Sequence, residues 1–253
     1  MKKYIKKSIK QQFTIKMKAI PKIIHQIWGG SNPLPDYFKI LSETWINNHP
    51  EWDYEFWDDN RIDRFVQEHY PEYLEIFRAF TYDMQRWDTI RYLILDKTGG
   101  VYADFDSECF QPLDKLMEGN DCWFSLEPLE YARWNKRDPL LSTAIVGAAP
   151  GHSFIRQIIK EIFSGYKQTE FTNVLGKIND TINSTGPLKI TSVYENYPNK
   201  TEVYLMPLKY IAAYTSEETK SLLHGFESEE LDKRIEEAYA VHYFFNAWVK
   251  GEK

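Results

Sequence analysis

Gly99–Glu108 reads GGVYADFDSE, a short apolar run that leaves a glycine pair and ends in two carboxylates, Asp104 and Asp106. Taken as a strand over Val101–Asp106, alternation puts both acids on one side, facing one space. Two like charges that close call for a cation. Hard oxygen donors suit magnesium or manganese, ions that keep open positions for phosphate oxygens. In isolation the same pattern also fits a solvated strand end, so the surrounding residues have to decide.

Immediately upstream, RWDTIRYLILDKTGG spaces Asp88 and Arg91 three residues apart on a helix expected over Asp83–Lys97 and capped by Gly99. On one helix face they form an ordinary ion pair worth a few tenths of a kcal/mol. Alternatively, the Asp accepts sugar hydroxyl bonds while the Arg donates to hydroxyls or phosphate. The helix runs through Gly99 straight into the acidic strand, so both motifs can serve one pocket.

Working outward, Ile20–Trp28 (IPKIIHQIW) is β-branched and closed by Gly29 and Gly30, as a buried first strand should be. SNPLPDYF reads as a loop, Leu41–Asn47 as a helix and Trp52–Asp59 as a second strand. Helices are expected over Arg61–His69, Tyr73–Ala79, His152–Tyr166 and Thr169–Ile182, with Ser216–Leu223 a polar, helix-compatible segment. CWFSLEP, STAIVGAAP, VYLMPLKYI and AVHYFFNAW read as further strands, the last turning into a loop. Alternating strands and helices predict an α/β sheet with helices on both faces. Ligands of such sheets sit at the carboxyl ends of strands, where Trp28, Asp104, Asp106 and His242 fall.

The formal net charge of −6 divides into +8 over residues 1–22 and about −14 over the rest, which argues against nucleic acid as the partner of the body. Residues 1–19 read as a basic tail and 20–253 as one domain. Lysines interrupt the tail too often for a secretory signal or a membrane span. It suits peripheral contact with an anionic membrane surface, at about 1 kcal/mol per lysine, or equally a frayed tail ahead of a start at Met17. Cys109 and Cys122 lack metal-ligand spacing, so neither a disulfide scaffold nor a zinc site is indicated and a reducing cytoplasm is the simplest home.

These pieces together resemble a known family. IPKIIHQIW, the Trp- and Pro-Glu-Trp-containing block from Trp45 to Trp57, D-x-x-R-Y-x-x-L-x-x-x-G-G-V-Y-x-D-x-D from Asp88 to Asp106, and H-x-x-x-x-x-W from His242 to Trp248 resemble glycosyltransferase family 32. That family includes capsular polysaccharide transferases and yeast initiating mannosyltransferases, and is similar in its sugar-binding region to the large clostridial glucosylating toxins. The resemblance implies a GT-A fold, a Rossmann-like mixed sheet flanked by helices, and metal-dependent transfer from a nucleotide sugar with retention of configuration. A UDP-linked hexose or N-acetylhexosamine is the first expected donor and GDP-mannose the second. The expected acceptor is a glycan or lipid-linked glycan, as in bacterial surface polysaccharide synthesis, which agrees with the basic tail and gives an expected cytoplasmic location, peripheral on the inner face of the cell membrane.

Carried over position by position, Trp28 would stack on the base, and Asp88 and Arg91 would hold ribose and sugar hydroxyls. Asp104 would touch sugar or ribose beside the Mn2+ or Mg2+ ion, and Asp106 and His242 would bind that ion. Asn246 and Trp248 would close over the diphosphate. Three positions depart from the pattern: Trp87 replaces a small residue, Tyr243 the second His of a frequent pair, and Thr143 an Asn expected to contact sugar.

Other residues carry plainer expectations. His25 reads as a core histidine, and His49 and His152 as structural. Thr185–Pro187 (TGP) is a turn or an acceptor-side loop. Glu127 either faces the acceptor or is a surface carboxylate. A binding protein that has lost turnover is the alternative function. A two-metal phosphohydrolase lacks the extra His and Asp cluster it needs.

Overall fold

The computed structural model describes residues 18–245. A six-stranded sheet forms its centre, in the order β2-β1-β3-β6-β5-β7. Its strands are β1 (Ile23–Ile27), β2 (Asp53–Trp57), β3 (Gly100–Ala103), β5 (Cys122–Leu126), β6 (Leu141–Ala148) and β7 (Tyr204–Leu205). All run parallel except β6, which pairs antiparallel with β3 and β5. A second sheet, in the order β4-β9-β8, joins β4 (Ser107–Cys109), β8 (Ile211–Ala213) and β9 (Ala240–His242).

Eleven α-helices are described. They are α1 (Asp36–Asn48), α2 (Asp59–His69), α3 (Leu74–Ala79), α4 (Asp83–Thr98), α5 (Asp114–Met117), α6 (Leu129–Trp134), α7 (Ser153–Gly165), α8 (Val174–Ser184), α9 (Pro187–Asn196), α10 (Ser216–Leu223) and α11 (Glu229–Ile235).

Alternation along the central strands feeds two cores. Tyr102, Phe124 and Val146 pack with Ile90, Phe154 and Ile158, whereas Val101, Trp123 and Ile145 pack with Trp45, Leu113 and Met206. β3, β5 and β6 are thus buried on both faces, which is why β6 is buried along its whole length. Most motif aromatics are core: Trp45 is fully buried, and its indole donates to the Ser107 carbonyl at 3.1 Å.

The structure corrects several expectations. VYADFD is not one strand, because β3 stops at Ala103 and the chain turns at Asp104–Ser107, with the Ser107 N–H donating to the Asp104 carbonyl at 3.1 Å. VYLMPLKYI splits between the two sheets, broken where the Tyr210 N–H turns back onto the Pro207 carbonyl. Pro35 precedes a helix that already begins at Asp36, inside the expected loop, and Pro187 opens α9, both in keeping with proline's tolerance at helix starts. α6 and α11 carried too little periodicity to stand out. Asn246, Trp248 and the lysine-rich residues up to 17 lie outside the described residues.

Candidate active site

The register of the small sheet builds the acidic cluster. Ser107 pairs with His242, so a histidine distant in sequence lies against the turn that carries Asp106, and the Tyr243 N–H donates to the Asp106 carbonyl at 2.9 Å. His242 Nε2 lies 3.1 Å from Asp106 Oδ1 and 4.0 Å from Asp104 Oδ2. The Phe245 N–H donates to Asp106 Oδ2 at 2.9 Å. Asp104 accepts from the Tyr102 hydroxyl and lies 3.7 Å from Arg91 Nη1. The two acids therefore meet through a turn, not through strand alternation.

Their electrostatics differ. Burial pushes both carboxyls up, but His242 and the Phe245 N–H outweigh it at Asp106, which is held below the ordinary range. At Asp104 burial and the neighbouring Asp106 prevail over Arg91, and its carboxyl is raised. His242 is raised because Asp106, then Asp104, outweigh its own burial. Its Nδ1 is buried without a hydrogen-bond partner among the described residues.

One donor atom from each of Asp104, Asp106 and His242 lies within 4.8 Å of the others. Two bonds of about 2.1 Å put opposed ligands about 4.2 Å apart, so a small contraction closes this set on one divalent ion. Two carboxylates with an imidazole are a donor set that fits a divalent ion.

Beside the cluster, Arg91 Nη2 donates to Asp88 Oδ1 at 2.7 Å, and both side chains are almost fully buried. Arg91 Nη1 also donates to the Thr143 carbonyl at 2.5 Å, and its guanidinium lies 4.5 Å from the Tyr102 ring centroid. Taking two charges out of water costs several kcal/mol each before pairing offsets it. Stability alone therefore gives little reason to bury this pair. Burial pushes Asp88 up to about 6, against the pull of Arg91 and of a bond from Thr185. The TGP segment thus places Thr185 on Asp88, a contact that the turn reading did not foresee.

At the end of β1, half-buried Trp28 packs on Phe38 at 5.4 Å and edge-on to Phe105, the residue between the two acids, at 6.0 Å. The loop after it is stapled by Asp59, which accepts from the Gly30 N–H at 2.6 Å and from the Trp87 indole at 2.9 Å. Trp87 therefore acts on the loop beside Trp28. Tyr243 turns away from the cluster and donates to Glu108.

His25, His49 and His152 are structural, bonded to Gly99, Trp45 and the Phe154 N–H respectively. Glu127 is no surface carboxylate. It is 6% exposed, and burial pushes it up to about 7 in spite of His242 and a hydrogen bond from Ser142.

Comparison with known proteins agrees with this architecture. Residues 35–123 match the family described as a glycosyltransferase sugar-binding region containing a DXD motif. An uncharacterized glycosyltransferase of Acanthamoeba polyphaga mimivirus is 30% identical over 198 residues, covering 76% of this chain and 72% of that protein. Inositol phosphoceramide mannosyltransferase 2 of Schizosaccharomyces pombe is 33% identical over 181 residues, 71% of this chain and 47% of the relative. The chain spans about half the length of such curated mannosyltransferase relatives. Among solved structures, the UDP-bound glycosyltransferase domain of the YGT toxin aligns with a TM-score of 0.52 at 10% identity, over 75% of this chain and 80% of that one, a likeness of fold. The chain belongs to the DXD-containing glycosyltransferase family, and its fold is GT-A.

Proposed function

We propose that this protein transfers a hexose, mannose foremost, from a nucleotide-diphosphate sugar to a glycan or lipid-linked acceptor, with retention of configuration. The observation that carries the reading is the convergence of Asp104, Asp106 and His242 on one cation-sized space beside the buried Asp88–Arg91 pair. The sequence expectation put a UDP-sugar ahead of GDP-mannose. Relatives named as mannosyltransferases support the reverse order, and those named for inositol phosphoceramide support a glycolipid acceptor over a capsular one.

A manganese or magnesium ion held by Asp104, Asp106 and His242 would supply a Lewis acid for the diphosphate leaving group. The chain's own residues do the rest. Trp28 offers a face for the base, Asp88 accepts sugar hydroxyls, and Arg91 keeps a fixed positive charge where negative charge develops, the kind of preorganised electrostatics that dominates catalysis. The acceptor hydroxyl attacks from the side the nucleotide leaves, and the departing phosphate oxygen takes its proton. A trapped glycosyl adduct on Asp88, Asp104 or Glu127 would replace this route with a double displacement.

No helix among the described residues is long and apolar enough to cross a membrane. Peripheral contact through the lysine-rich start of the chain, on the cytoplasmic face, belongs to the same proposal. Retention of the full chain by anionic but not neutral liposomes tests it.

The main test is thermal stabilisation by GDP and UDP, each with and without manganese, followed by nucleotide release from GDP-mannose and UDP-glucose with and without acceptor. Acceptor-stimulated release supports transfer. Binding without release would make the chain a nucleotide-sugar binder.

A further inference from the structure

The order of strands lays the site out along one edge of the sheet. Trp28 follows β1, Asp104 follows β3, Ser142 and Thr143 begin the reversed strand β6, and Glu127 follows β5. With neighbouring strands about 4.8 Å apart, the Glu127 end lies about 14 Å along the edge from the Trp28 end. If the base sits at Trp28 and the diphosphate at Asp104, the sugar falls against Asp88, Arg91 and β6. Glu127 then stands on the far side of the reacting bond.

Each other carboxyl of the site has its partners. Asp88 has Arg91 and Thr185, Asp106 has His242 and the Phe245 N–H, and Asp104 has Tyr102 and Arg91. Glu127 takes a hydrogen bond from the Ser142 hydroxyl, and His242, which also acts on it, is engaged with Asp106 at 3.1 Å. A carboxylate can accept about four hydrogen bonds, so this one has capacity left for a donor from a ligand. Behind it, Tyr131 of α6 packs against Phe244 at 5.3 Å, which fixes this rim to the strand that carries His242.

We propose that Glu127 anchors the acceptor, taking a hydrogen bond from a hydroxyl next to the one that attacks. This rests on the transferase reading above. A site built to bond a hydroxyl discriminates strongly when that bond is lost, because a buried polar group is left unpaired.

The test compares wild type with Glu127→Gln and Glu127→Asp as full chains. The readouts are the Kd of GDP and UDP with manganese, nucleotide release to water, and transfer to methyl α-D-mannopyranoside and to vesicles containing inositol phosphoceramide. Glu127→Gln should lower acceptor kcat/KM about ten-fold or more, chiefly through KM, with Glu127→Asp partly restoring it. Nucleotide Kd and release to water should stay within about two-fold. Unchanged acceptor KM in Glu127→Gln, or a parallel loss of nucleotide binding, overturns the inference. So does a wild type that releases nucleotide to water but is accelerated by neither acceptor. A wild type that releases no nucleotide at all fails at the transferase reading instead.

Discussion

The Thr185 hydroxyl donates to Asp88 Oδ2 over 2.9 Å, joining the α8–α9 connection to a helix 97 residues earlier, while Arg91 holds the other carboxylate oxygen. Both oxygens are thereby oriented. Gly186 lets this connection pack closely on the preceding helix, since a Cβ there would stand 2.9 Å from the Ile182 Cα. Thr185→Val should therefore cost about 1–2 kcal/mol of stability and weaken nucleotide-sugar binding roughly ten-fold, with Thr185→Ser near wild type. Calorimetric Kd values and urea midpoints check this. A valine variant that binds the donor normally would show that Thr185 does not position Asp88.

Asp106→Asn and His242→Gln probe the cation directly. Each should abolish the manganese-dependent part of the nucleotide thermal shift and reduce turnover by about 10²–10³-fold. Asp104→Asn should do the same while also loosening Tyr102, which donates to that carboxylate. Persistence of the metal-dependent shift in both Asp106→Asn and His242→Gln would mean that the ion, if bound, is held elsewhere.

Much of this architecture was legible because local chemistry forced it. The glycine pair before VYADFD, the β-branched first strand and the Asp88–Arg91 spacing each admit few structures, and all three fall where expected. What could not be read was long-range register. Nothing local tells VYLMPLKYI to serve two sheets, and nothing in TGP announces that its threonine reaches Asp88. The Asp104–Asp106 pair does converge on one space, but through a turn and not through strand alternation, because a turn and a strand both bring residues two apart together. Glu127 shows the same limit, since two of the groups that act on its carboxyl, Ser142 and His242, arrive from other strands.

Trp87 occupies a position where the family resemblance expects a small residue, and Gly29 is its counterpart. A Cβ at Gly29 would come within 2.0 Å of Trp87 Nε1 and 2.6 Å of Asp59 Oδ1. Gly29→Ala must displace the indole and break its bond to Asp59, at a cost of about 1–3 kcal/mol. The loop that carries Trp28 loosens with it, so nucleotide affinity falls as well. Adding Trp87→Ala removes the clash, and the double variant should be more stable than the sum of the two single losses. Strict additivity in urea unfolding would rule out the proposed contact.

His25 gives the fold a pH dependence separate from the candidate active site. An indole N–H can only donate, so the Trp57 bond to His25 Nδ1 at 3.2 Å fixes the proton on Nε2, which donates to the Gly99 carbonyl at 2.9 Å. A second proton would have to sit on Nδ1, facing the indole N–H. Burial is the largest cause that lowers the His25 pKa, from 6.5 to about 4. Between those values the unfolded chain binds a proton that the native chain refuses. The stability contributed by neutral His25 is therefore complete above about pH 6.5 and is lost as pH falls toward 4, by about 2 kcal/mol at pH 5. His25→Asn should be less stable than wild type at pH 7, because it gives up the paired imidazole. It should also lose less on acidification, so the gap between the two narrows by about that amount. Urea unfolding of both proteins at about pH 7 and pH 5 measures the difference, and parallel losses would mean that the acid sensitivity resides in other groups.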